Sequence, residues 1–180
     1  GLELAAALKH KKVKITIIQR ASRLMERQLD RISSKLLAEE VQQRDIQIYF
    51  DNEVSTVFST NRAHELEIAL KSGRTLTANA IVYTIGTIPN IEVAKEAGLT
   101  CARGVKVNQY LQSSNPSIFA IGEIAEFNNQ LFGITSAAEE QADILANYLA
   151  GDISSHYKGS VLMNILKLED INLCSIGEIE

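Results

Sequence analysis

Three places in this 180-residue chain carry residue types and spacings suited to binding phosphates and moving electrons. Gly1 stands directly before LELAAALK, where Leu2, Leu4, Ala5 and Leu8 make a 3–4 spaced apolar stripe. A glycine there lets the backbone approach a pyrophosphate that rests on the N-terminus of the following helix. With a strand starting twelve residues later, Gly1 falls where the third glycine of a GxGxxG turn would stand. Read alone it is equally an N-cap or a residue left by cloning. The next strand ends at Gln19-Arg20, eighteen residues past Gly1, where such a unit reads the adenosine ribose. An acid at that place would repel a 2′-phosphate. Gln19 is neutral and Arg20 cationic, so a phosphorylated ribose is tolerated, unless Arg20 is only a solvated strand-end residue.

The third place is SIFAIGEIAEFNNQLFGITSAAEEQA, Ser117 to Ala142, which reads as strand, Gly-acid, loop and helix. Gly122 lets the backbone come close to a phosphate, and the adjoining Glu123 can accept hydrogen bonds from a polyol. A helix beginning near Ser136 aims its N-terminal dipole at an electron-rich group, such as the pyrimidine edge of a reduced flavin. Gly-Glu after a strand is also a common turn. Neither a general base nor a nucleophile stands out. His10, His64 and His156 sit singly in polar surroundings, and Cys101 and Cys174 form no CxxC pair. That cysteine usage fits a reducing, cytoplasmic setting and offers neither a zinc site nor a redox disulfide. Any redox chemistry must then come from a bound cofactor or from residues outside the chain.

The elements that must position these residues alternate along the chain. Leu2 to Lys12 and Gln28 to Arg44 have helical apolar spacing, and Val13 to Ile18 is a β-branched strand. Ile46 to Phe50, Glu53 to Phe58 and Glu65 to Lys71 read as short strands, with Gly73 supplying the turn in KSGRTLTA. Ala80 to Ile85 is nearly all apolar, as a parallel core strand should be. Beyond Pro89, the expectation is a short helix Ile91 to Ala97 ended by Gly98, and strands at Val105 to Val107 and Ile118 to Ile121. A helix from Ser136 to Ala150 and two strands over 159–180 complete the pattern. This order predicts a doubly wound, Rossmann-like α/β unit with a parallel sheet and a β-meander flap. Boundaries fall near Gly86–Asn90 and Gly151–Tyr157. The net charge of −4 is spread along the chain, which argues against a nucleic-acid partner, and no apolar run approaches a bilayer span.

The segments TIGTIPN, GVKVNQYLQSSNPSIFAIGE and FGITSA, with RLMERQLD before them, resemble the FAD- and NAD(P)-dependent pyridine nucleotide–disulfide oxidoreductases. Within that family the likeness is to nitrite reductase large subunits and to rubredoxin or ferredoxin reductases, and it spans essentially the whole chain. It implies a flavoprotein with two dinucleotide-binding domains, present here as an internal, truncated piece. Residues 1–86 would be the NAD(P) domain without its first strand, 87–151 the returning part of the FAD domain, and 152–180 the start of a C-terminal domain. Gly1 would close the NAD(P) phosphate turn and Glu3 would sit by the nicotinamide. Gln19 and Arg20 would face the adenosine ribose, with Arg27 as a further candidate. Gly86 would lie against the nicotinamide nucleotide. Gly122 and Glu123 would take the phosphate and ribityl side of FAD, and the helix start at Ala137–Ala138 would approach the isoalloxazine. Three departures stand out: Glu123 where most members have Asp (the nitrite-reductase-like subgroup resembles this sequence in having Glu), Ile124 where Cys is frequent, and Ala137 in place of a common Pro.

The implied reaction is hydride transfer from NAD(P)H to flavin, with electrons passed to a downstream acceptor domain or protein. The same resemblance implies that this stretch by itself binds FAD weakly or not at all and is inactive. A non-catalytic nucleotide-binding or assembly module that kept the fold is the alternative. Exposed sheet edges could also pair two copies into a homodimer.

Overall fold

The computed structural model describes residues 1–161, 163–168 and 171–176. In chain order its elements are α1 (Leu2–Lys9), β1 (Ile15–Ile18), α2 (Arg31–Gln43), β2 (Ile46–Tyr49), β3 (Val54–Ser59), β4 (Leu66–Leu70), β5 (Thr75–Ala78), α3 (Glu92–Glu96), β6 (Val105–Val107), β7 (Ala125–Phe127), β8 (Gln130–Leu131), α4 (Thr135–Leu149), β9 (Met163–Leu168) and β10 (Ile171–Ile176). A 3-10 turn, Gly122–Ile124, precedes β7. The chain forms two compact units. The first is Gly1–Ile85 with the described residues from Asn164 onward, and the second is Gly86–Met163.

In the first unit β1 and β2 pair in parallel, from Ile15 opposite Ile46 to Ile18 opposite Tyr49. The connection between them is α2, whose N-cap Asp30 accepts a hydrogen bond from the Ser33 amide at 2.6 Å. That bond holds the Asp30 carboxyl below the usual carboxylate range. It also explains why the helix starts at Arg31 and not at Gln28 as the apolar spacing alone suggests. Ser34, Leu37 and Val41 fall on one face of α2 and are buried. Ser34 is tolerated there because its hydroxyl donates to the Leu24 carbonyl at 2.7 Å. Leu37 and Val41 close on Ala5, Ala6, Ile46 and Ile48, with Leu166 and Leu168 of β9 in the same core. The β3-β4-β5 meander is antiparallel, and Gly73 at φ +83° turns β4 into β5.

Two expected strands do not form. Residues 80–85 carry no strand, and Val82, Tyr83 and Ile85 are exposed. An apolar run becomes a sheet strand only when another strand offers it an edge, and among the described residues β1 pairs with β2 alone. Over residues 118–121 only Phe119 bridges, to Gln112. The two strands expected in 159–180 are β9 and β10, with residues 162, 169–170 and 177–180 outside the described set.

The second unit is built around Leu111, Phe127, Phe132, Ala137 and Tyr157, all buried. The Tyr157 ring lies 5.1 Å from Phe127 and 5.6 Å from Phe132. Here β6 runs parallel to β7, and β7 returns as β8 through Asn128 and Asn129, both at positive φ. Asparagine is among the few non-glycine residues that adopt this conformation readily. The fifteen-residue α4 packs its Ala137 and Gln141 inward and ends before Gly151 at φ +100°.

Candidate functional site

Gly1 is the N-cap of α1, and its carbonyl accepts from the Ala5 amide at 2.9 Å. No side chain caps this helix start. A Cβ at Gly1 would lie 2.7 Å from the Thr84 hydroxyl oxygen, so a larger residue there would have to turn the Thr84 side chain aside. The structure thus brings Gly1 and the start of the TIGTIPN segment together. Glu3 is exposed on the first turn, and its carboxylate accepts the Lys167 backbone N–H at 3.1 Å.

Gln19 continues the end of β1. Its amide donates to the Tyr49 carbonyl at 2.9 Å, and its side-chain amide donates to the Arg23 carbonyl at 3.1 Å. Arg20 is exposed and makes no salt bridge among the described residues, although its charge helps to lower the Glu53 carboxyl. That shift is led by the hydrogen bond from Lys71 to Glu53. Arg27 is exposed on the loop leading to α2. Beside that loop opens a groove of about 540 Å³, its wall carrying Arg23, Arg31 and Lys35 against Glu26, with Phe50 as its aromatic member. The sequence reading did not single out this groove, because its cations come from both the loop and α2.

Gly86 is exposed at φ +96°, a conformation that side-chain-bearing residues rarely adopt, with no atom within 4 Å of the place a Cβ would occupy. Gly122 is half-buried at φ +78° and faces Ala138, whose Cβ is 3.8 Å from where a Gly122 Cβ would stand. Glu123 beside it is exposed. The Ala137–Ala138 pair divides: Ala137 is fully buried in the core, and Ala138 is the member turned toward Gly122. The N-cap of α4, Ile134, supplies no side-chain hydrogen bond, and the first turn has no acid. The electropositive end of a fifteen-residue helix is therefore left unneutralised.

Two further residues brace this turn. Gln141 is fully buried and accepts the Gly122 N–H through Oε1 at 2.7 Å, while its Nε2 is buried without an acceptor among the described residues. Gly104 lies under the turn, since a Cβ there would stand 2.5 Å from the Ile124 carbonyl oxygen. The Gly104 N–H is held at 2.8 Å by the carboxylate of buried Glu126. Sequence reasoning missed both, and the only local signal for Gln141 is a polar residue four positions after Ala137 on the apolar face of α4. The features around Gly122 fit a flavin nucleotide: a glycine turn open to a phosphate, an uncapped helix end, and a buried donor in want of an acceptor. Among the described residues no cluster of His, Cys, Asp and Glu could hold a metal, and no helix is long and apolar enough to cross a membrane.

An α/β fold with glycine turns set beside helix starts is the architecture of dinucleotide-binding proteins. The chain belongs to the pyridine nucleotide-disulphide oxidoreductase family, which matches residues 1–142. Members are NAD(P)H-dependent flavin oxidoreductases that use FAD. Over its whole length the chain is 33% identical to the assimilatory nitrate reductase electron transfer subunit of Bacillus subtilis, covering 23% of that protein. It is 32% identical, over 99% of its length, to the nitrite reductase [NAD(P)H] of the same organism, covering 22% of it. A solved ferredoxin reductase from Rhodopseudomonas palustris superposes with a TM-score of 0.90 at 26% identity, over 98% of this chain and 45% of that one. The chain thus spans about a quarter of the length of the curated relatives named here.

Proposed function

We propose that the protein carrying this chain is an FAD-dependent NAD(P)H oxidoreductase that passes electrons to a downstream redox domain or protein. The observation that carries the reading is the Gly122 turn at φ +78° set beside the uncapped, acid-free start of α4. FAD, when bound, supplies hydride acceptance and onward electron release. The chain's own residues bind and orient. Gly122 lets phosphate approach the backbone, Glu123 accepts hydroxyls of the ribityl chain, and the α4 start at Ala137–Ala138 favours negative charge on the reduced ring. Gly1 closes the pyrophosphate turn above α1, with Glu3 on the nicotinamide side and Gly86 along the nicotinamide nucleotide. Gln19 and Arg20, with Arg27 near them, receive the adenosine ribose, and the missing acid favours NADPH. Residues 1–86, 87–151 and 152–180 then belong to an NAD(P) domain, an FAD domain and a C-terminal domain.

The relatives' names, a nitrate reductase electron transfer subunit and a nitrite reductase, support an acceptor in nitrogen-oxyanion reduction. The two free cysteines fit a cytoplasmic protein, and exposed strand edges suit a homodimer. A second reading, a nucleotide-binding module without redox turnover, is favoured by Glu3, whose carboxylate is occupied by the Lys167 amide. Turnover with ferricyanide as acceptor separates the two. The full-length protein should oxidise NADPH, and NADH more slowly, with stoichiometric ferricyanide reduction. Nucleotide binding with no ferricyanide reduction would establish the second reading.

A further inference from the structure

Gln141 is a polar side chain whose burial the fold alone does not explain. It lies one turn after Ala137 on the inner face of α4, with no exposed surface. The orientation of its amide is settled chemically. The Gly122 N–H can only donate, so the atom 2.7 Å from it must be the carbonyl oxygen, and the amino group is the other end. That amino group, Nε2, is buried and finds no acceptor among the protein atoms described. A leucine would leave no amino group to bury but would also leave the Gly122 N–H without its acceptor, and a buried amide satisfied at one end only calls for a partner at the other.

We propose that Gln141 is a positioning residue of the flavin site, clamping the Gly122 turn with its oxygen and donating from Nε2 to an oxygen of the bound FAD. The proposal rests on the flavoprotein reading above and assigns a residue that the sequence motifs do not reach. The amide suits both tasks because it accepts at one end and donates at the other, and the bond to Gly122 presets its direction. A carboxylate at this place would keep the acceptor and lose the donor, and an aliphatic side chain would lose both.

The test uses the full-length protein, stripped of flavin and reconstituted with FAD, as the parent, Gln141→Glu and Gln141→Leu. Flavin fluorescence quenching reads the affinity, and dye equilibration reads the midpoint potential. Gln141→Glu, which buries a carboxyl, should melt below the parent without flavin, bind FAD about tenfold more weakly, and show a more negative potential. Gln141→Leu should lower the melting temperature and weaken FAD binding by at least as much. If both variants match the parent in FAD affinity and potential, the inference is overturned while the flavoprotein reading stands. A parent that takes up no FAD overturns both.

Discussion

Replacing Gly104 with alanine is expected to lower the thermal midpoint of the protein and loosen its hold on flavin in the same step. The added methyl would stand 2.5 Å from the Ile124 carbonyl oxygen, 2.8 Å from a Leu131 methyl and 3.1 Å from the Glu126 Cβ. Leu131 can rotate away, but Ile124 is backbone and ends the 3-10 turn that begins at Gly122. Relief requires that turn to rise or β6 to move from β7, and the second also stretches the bond from the Gly104 N–H to Glu126. Overpacking of this kind costs about 1–3 kcal/mol. In a chain of this size each kcal/mol lowers the midpoint by roughly 2–4 °C. Gly133→Ala is the control, because nothing lies within 4 Å of its added Cβ. Calorimetry of the two variants should separate them, and an equal midpoint for Gly104→Ala and the parent would show that the turn is not braced from below.

The second large effect is expected in nucleotide selection. Gln19 is fixed in orientation by its bonds to Tyr49 and Arg23, while the Arg20 guanidinium is exposed and makes no salt bridge among the described residues. A cation left in that condition at the ribose end of β1 can give charge-assisted bonds to a 2′-phosphate. Arg20→Ala should raise the KM for NADPH by about 10–100-fold, the range that losing such a bond implies, and leave the KM for NADH within twofold. Gln19→Asp should work in the other direction on NADH, offering an acceptor to the free 2′-hydroxyl while repelling the phosphate. The double variant should therefore prefer NADH. Unchanged KM ratios in both single variants would remove the ribose role from this corner.

How much of this was legible in the sequence follows the range of the interactions involved. The cap of α2, the turn at Gly73 and the ends of α3 and α4 at Gly98 and Gly151 are local, decided by residues within a few positions of one another. They are readable from residue type alone. The strand expected over Ala80 to Ile85 was misread because apolarity reports burial and not pairing, and a ladder needs a neighbour that local sequence does not reveal. In the site, the glycines at 1, 86 and 122 were visible because each marks a backbone that must bend or be approached. Gly104 and Gln141 were not, since each meets the Gly122–Ile124 turn across some twenty positions of chain. The groove with Arg23, Arg31 and Lys35 was hidden because its cations come from two elements, the loop and α2.

Anaerobic mixing of the full-length, flavin-loaded protein with NADPH tests the central claim most directly. Hydride delivery to the flavin predicts rapid bleaching of the oxidised flavin band by one equivalent of NADPH, and the colour should return on adding an oxidising acceptor. A flavin band that persists while the nucleotide binds would contradict it.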